Sequence, residues 1–285
     1  MKPDHMRNQF MLKILLPLFV MLSLVLQSTS LLAAPKKDLD PDWDHFSVEQ
    51  KISVDHQAWQ VFLDTYLHTD TTQQTFLAYG NVNKEGKENL DRYLSYLTEL
   101  NPPSLTKEQQ MPYWINLYNA KTVQLILDHY PTKSITKLGK RWLGFGPWDD
   151  KILTINDREL SLNDVEHRIL RPIYNDPRIH YVVNCASFSC PNLAAQAFTL
   201  DNTQLLLEQS AKDYINHSRG VMLKDSGSKL MLSSIYDWYL VDFGNNDTEL
   251  LDHLKQYANP ELAAQLNTFS GSISYDYDWS LNEHE

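Results

Sequence analysis

The run "SLTKEQQMPYWINLYNAKTVQLILDHYP" constrains the fold of this 285-residue chain more than any other stretch. Thr106 and Gln109 form a capping box at its start. From there Trp114, Ile115, Leu117, Tyr118, Ala120, Val123, Ile126 and Leu127 make a helix that is apolar almost all round. A helix without a polar face has to be surrounded, so this one is expected at the centre of the molecule. Asn116, Asn119 and Lys121 then stand out, because a buried amide left without a partner costs on the order of 1–3 kcal/mol.

The flanking sequence supplies the surroundings. Apolar residues recur at three- and four-residue steps in 54–67 and again in 90–100, which predicts two earlier helices. After Pro131 the pattern changes. "DDKILTINDRELSL" alternates around Asn156-Asp157 and predicts a hairpin. "SLNDVEHRILRP" predicts a short helix ended by Pro172, with Glu166 on the inward face of Leu162 and Ile169. "RIHYVVNC" is β-rich and predicts a central strand ending at Cys185. An Asp201-capped helix, a hairpin turning at 225–228, helices near 234–242 and 248–257, and a last strand in "GSISYDYDWSLN" complete the reading. The expected fold is α+β, with N-terminal helices packed on a mostly antiparallel sheet as one domain over residues 35–285.

The N-terminus has the order of a secretory signal peptide: Lys2, Arg7 and Lys13, the uncharged apolar run 14–27, then small residues up to Ala34. Export to the periplasm or medium with cleavage after 33 or 34 is expected, leaving no stable membrane anchor. Taking its three basic residues and one acidic residue from the chain's 25 and 36 leaves 22 and 35, a formal charge of −13. Such an acidic surface argues against nucleic acid as a partner. It leaves peptides, glycans and small molecules open as substrates.

Both cysteines of the chain lie in "HYVVNCASFSCPN" (180–192). A thiol at the end of a strand, followed by Ala186 and Ser187, is accessible to substrate, and backbone N–H groups near 186–188 offer an oxyanion hole. On a strand, His180 would face away from Cys185 and about 16 Å along the chain. His167 is the better base, with Glu166 or Asn119 to orient it. Arg171, Lys121 or an asparagine of the central helix would supply the donor that Glu166 needs. A 185–190 disulfide suits an exported protein equally, and buried free thiols are a third reading. His167, His180 and the cysteines lack zinc-type spacing, so neither a metal nor a cofactor is expected. Asp276 and Asp278 read as turn caps.

"YWINLYNA", "LSLNDVEHRILRP", "RIHYVVNCASFSCPN", "WYLVDFG" and "YDYDWSLN", in that order, resemble the family called domain of unknown function 547, found in exported bacterial proteins and in plants. The resemblance covers about 105–245 plus the tail, and its signature positions fall on Trp114, Asn116, Asn119, Glu166, His167, Arg171 and Cys185. It favours His167 over His180 and argues against an obligatory disulfide. It also implies a similarity to papain-like or transglutaminase-like cysteine enzymes, although there the cysteine precedes the histidine. The resulting expectation is a thiol-dependent hydrolase or acyltransferase acting on an amide or ester. In it Cys185 is nucleophile, His167 base, and Glu166 or Asn119 orienter. A non-catalytic binding or scaffold domain with a buried Glu-His-Cys network, or a redox-active dithiol, is the alternative.

Overall fold

In the computed structural model, residues 35–50, 52–140 and 146–284 are described. The signal-peptide reading of 1–34 lies outside them. Helix α1 (Gln57–Tyr66), α2 (Lys84–Glu99) and α3 (Lys107–Asp128) pack together. Helix α3 opens with the capping box at Thr106 and Gln109, and its buried residues run almost without a break from Gln109 to Ile126. The rings of Trp59 and Tyr93 stack between α1 and α2, with centroids 6.4 Å apart. The Tyr113 hydroxyl ties α3 to the Leu97 carbonyl at 3.0 Å.

Among the described residues the strands form three small separate sheets: β1 (Leu67–Thr69) with β2 (Thr75–Leu77), β3 (Leu153–Ile155) with β4 (Arg158–Leu160), and β5 (Val221–Lys224), β6 (Lys229–Ser233) and β7 (Ser272–Asp276) in that order. The fold is α+β, but among the described residues no single large sheet underlies the helices, and β7 adds to β6 in parallel. The 156–157 turn adopts left-handed backbone at both Asn156 and Asp157 (φ 49° and 60°), as a two-residue hairpin requires.

Three local expectations are corrected. The helix of 162–174 does not stop at Pro172. Asp164–Leu170 is π-helical and continues into α4 (Arg171–Tyr174). The carbonyls thereby released find donors elsewhere: His167 and Arg168 accept the N–H groups of Asp38 and Asp40 at 3.1 and 3.0 Å. This partner segment is what lets a proline sit inside the helix. Residues 178–185 are not a strand. Pro177–Tyr181 is a 3-10 turn capped by Asp176, and the segment beyond it is irregular. Its apolar side chains reflect burial rather than pairing, with Ile179, Tyr181 and Val182 fully inaccessible. Finally, α5 (Thr203–Ile215) begins at Asn202 rather than Asp201. The Asn202 carboxamide accepts the Thr199 N–H at 2.7 Å.

Two apolar cores result. One surrounds α3. The other lies under β5–β7 and the helices after residue 234, including Asp247–Tyr257 and Pro260–Thr268. The segment 179–183 serves both, with Val182 and Val183 in the first and Tyr181 in the second. That is why the loop after it is rigidly placed.

Candidate active site

Asn119 uses both ends of its carboxamide on this segment. It donates to the Val182 carbonyl and accepts the Asn184 N–H, each at 2.8 Å. Asn116 does the same for Phe198, at 2.7 and 3.0 Å. The two buried amides of the central helix are therefore scaffold clamps. Asn119 holds the loop that carries Cys185 and does not orient His167.

The loop then turns sharply. Asn184 Oδ1 accepts the Ala186 N–H at 2.8 Å, and Ala186 takes left-handed backbone at φ 57°. For a residue with a side chain this conformation is strained and needs the surroundings to hold it. Cys185 emerges half-buried, with both cysteines as free thiols. Its sulfur lies 3.1 Å from the Ser187 hydroxyl and 3.1 Å from the Tyr277 hydroxyl, which are 2.8 Å from each other. Burial opposes ionisation of this thiol. Hydrogen bonds from Cys190, Ser187, Tyr277 and the Ser187 backbone outweigh it and bring the pKa down to about 7.

The expected oxyanion hole is not formed by the backbone. The Cys185 N–H goes to Cys190 Sγ at 3.0 Å, that of Ala186 to Asn184, and that of Phe188 to the Ser280 carbonyl at 2.7 Å. The Ser187 N–H faces the Cys185 sulfur. The groups able to donate at the thiol are the Ser187 and Tyr277 hydroxyls instead.

A buried charged cluster accompanies the thiol. Asp242 accepts Arg171 Nε at 2.6 Å and His180 Nε2 at 2.7 Å, and Lys37 Nζ stands 2.9 Å from it. Burial raises the Asp242 pKa, but these bonds overcome it and hold the carboxyl well below its ordinary range. Arg171 also donates to His167 Nδ1 at 2.9 Å and lies over the Tyr239 ring, 4.7 Å from its centroid. Burial, with the Arg171 charge added, pushes the His167 pKa well below its usual value. His167 is thus a neutral acceptor of Arg171, and neither it nor His180 hydrogen-bonds to the Cys185 sulfur. His180, expected to face away along a strand, is stacked on Tyr239 at 4.3 Å and reaches Glu166 Oε1 at 3.6 Å. Glu166 is buried as expected. Its donor is Tyr118, not Lys121, which pairs with Gln124. Burial raises its pKa to about 7 despite Arg171 and Tyr118, and the Cys185 charge pushes it the same way.

Tyr277, Ser187, Asp242 and Tyr118 are the site residues that sequence reasoning passed over. Asp242 and Tyr277 sat inside motifs already noticed, "WYLVDFG" and "YDYDWSLN", but as a helix end and a packing aromatic. Tyr277 does pack, against Trp238 and Trp279 with centroids 4.9 and 4.5 Å apart, and Trp148 adds to this half-buried aromatic wall at 5.5 Å from Trp279. Asp276 and Asp278 cap turns, accepting the N–H groups of Tyr277 and Ser280.

No curated protein and no solved structure matches this chain. A family model, described as "Protein of unknown function, DUF547", matches residues 102–215. That span contains the central helix, the Glu166-His167-Arg171 turn and the Cys185 loop. The segment 102–215 is thus similar to that family, and Glu166, His167, Arg171 and Cys185 lie inside the match, whereas Asp242 and Tyr277 lie beyond it.

Proposed function

We propose that the protein is a thiol-dependent acyltransferase or hydrolase whose nucleophile is Cys185. The observation that carries the reading is the half-buried Cys185 sulfur held between two hydroxyl donors, with its pKa near 7. A thiol whose ionisation is favoured by such hydrogen bonds can attack a carbonyl without a dedicated base. As the carbon–sulfur bond forms, the carbonyl electron pair moves to oxygen. The hydroxyls of Ser187 and Tyr277, released from the thiolate, become its hydrogen-bond donors. Collapse expels the leaving group and leaves the acyl group on sulfur, for water or an acceptor nucleophile to remove.

With His167 neutral and committed to Arg171, no imidazolium stands beside the thiol to protonate an amine. That favours esters and thioesters, whose leaving groups depart as anions, over amides. The kinship with papain-like and transglutaminase-like enzymes is proposed at the level of thiol chemistry alone.

The test is incubation with 4-nitrophenyl acetate and an acyl thioester, followed by mass spectrometry of the tryptic peptides. We expect acylation at Cys185, lost in Cys185→Ala with its melting temperature unchanged. Equal turnover by Cys185→Ala would overturn the reading. The rival, a scaffold with a buried polar network, is favoured by the internal commitment of Asn119, Arg171 and Asp242. It requires Cys185→Ala to melt lower.

A further inference from the structure

The Cys185 loop holds a second sulfur that acyl transfer does not use. Cys190 is only 3 % exposed, its Sγ accepts the Cys185 N–H at 3.0 Å, and its thiol points to the Val183 carbonyl at 3.8 Å. Four residues separate the two cysteines, and the chain between them folds back on itself. Ala186 is left-handed, and the Cys190 N–H donates to the Ser187 carbonyl at 3.1 Å. This turn delivers both sulfurs to one place, one facing solvent and the other facing the core.

We propose that Cys185 and Cys190 form a peroxide-reducing dithiol, a second activity of this loop. The Cys185 thiolate attacks one oxygen of a hydroperoxide. The O–O bond breaks, Cys185 becomes a sulfenic acid, and the departing alkoxide takes a proton through the Ser187–Tyr277 hydroxyl pair to leave as alcohol. Cys190 then attacks the Cys185 sulfur. The S–S bond forms, the S–O bond breaks, and the hydroxide released takes the proton that Cys190 sheds. Two thiols and one hydroperoxide give one disulfide, one alcohol and one water. An external dithiol reductant restores the pair by exchange.

Three features support this chemistry. Both hydroxyls lie 3.1 Å from the attacking sulfur, within reach of a peroxide bound there. The ring of Tyr277, whose hydroxyl contacts the sulfur, packs against Trp238 and Trp279. Cys190 is kept protonated by its burial first and then by the Cys185 thiol and its charge. A sulfenic acid is neutral, so the second restraint is lifted when the resolving thiol has to react. The proposal shares its nucleophile with acyl transfer but needs no carbonyl chemistry, and either stands without the other.

The test is stoichiometric hydrogen peroxide added to the fully reduced protein, with thiol titration and peptide mass spectrometry. One peroxide should consume both thiols, and the peptide spanning 185–190 should lose two hydrogens and regain them with dithiothreitol. At neutral pH the rate should exceed that of free cysteine by roughly threefold or more, since the larger thiolate fraction is offset in part by lower intrinsic nucleophilicity. Cys190→Ser should stop at a sulfenic acid on Cys185, trapped by dimedone, while Cys185→Ser should leave Cys190 unreactive. Oxidation no faster than free cysteine, or wild-type Cys185 passing to sulfinic acid without pairing, would overturn the proposal. Ester turnover measured on the same samples separates its failure from that of the acyl-transfer reading.

Discussion

The hydroxyl of Tyr277 lies 3.1 Å from the sulfur of Cys185, although 92 residues of chain separate them. The strand β7 that precedes Tyr277 is added in parallel to β6, and this pairing carries the C-terminal tail back to the family domain. Phe188 N–H to Ser280 carbonyl (2.7 Å) and Ser189 N–H to Asp278 carbonyl (3.1 Å) then lock the tail against the thiol loop. A residue beyond the 102–215 match thus completes the surroundings of its cysteine.

Replacing Tyr277 by Phe removes one donor to the thiolate and keeps the ring on Trp238 and Trp279. A charge-assisted hydrogen bond contributes about 1.5–3 kcal/mol, so the Cys185 pKa should rise by about one to two units. The pH dependence of iodoacetamide alkylation reads this directly. An unmoved midpoint would show that Tyr277 does not stabilise the thiolate.

Glu166 predicts a pH-dependent stability of definite sign. Burial raises its folded pKa to about 7 from 4.5, so the native state binds more protons than the unfolded chain. Its contribution is therefore most favourable at acid pH and declines as pH climbs from 4.5 to about 7. Glu166→Gln stays neutral. Relative to wild type the variant should gain on the order of a few kcal/mol between about pH 5 and pH 8. Thermal melts at the two pH values check this, and a constant difference would contradict it.

Asp242 is the counter-charge for Arg171, and the side chains of both are almost inaccessible, at 6 % and 3 % exposure. Asp242→Ala leaves the guanidinium buried and unpaired, which costs about 3–5 kcal/mol. In a chain of this size the melting temperature should fall by roughly 6–20 °C. Because the folded pKa of Asp242 is depressed, its stabilisation is present above the ordinary carboxylate range and fades on acidification. The wild-type and variant melting curves should therefore converge at low pH.

Asn119→Ala tests the clamp. It strands the Val182 carbonyl and the Asn184 N–H, each a buried group worth about 1–3 kcal/mol when unpaired. A loss of about 2–5 kcal/mol in denaturant unfolding is expected. A variant of unchanged stability would show that these two hydrogen bonds do not hold the loop.

What could be read from the residues in order was whatever depends on neighbours three or four positions apart. The capping box of Thr106 and Gln109, the all-round burial of α3, the Asn156-Asp157 turn and the inward Glu166 all follow from such short-range patterns. The helix Pro260–Thr268 was missed, and the run 178–185 was misread. An apolar, β-branched stretch shows only that it is buried, and its backbone partners here are side chains such as Asn119, 63 residues away from Val182. The surroundings of the thiol were less legible still. Cys185, Glu166, His167 and Arg171 could be named, but most of their partners could not. Tyr277, Asp242 and Tyr118 are ordinary core-type residues in one dimension. They become donors and counter-charges because chain reversal and parallel pairing of β7 bring distant segments within 3 Å, where hydrogen bonds and desolvation set protonation.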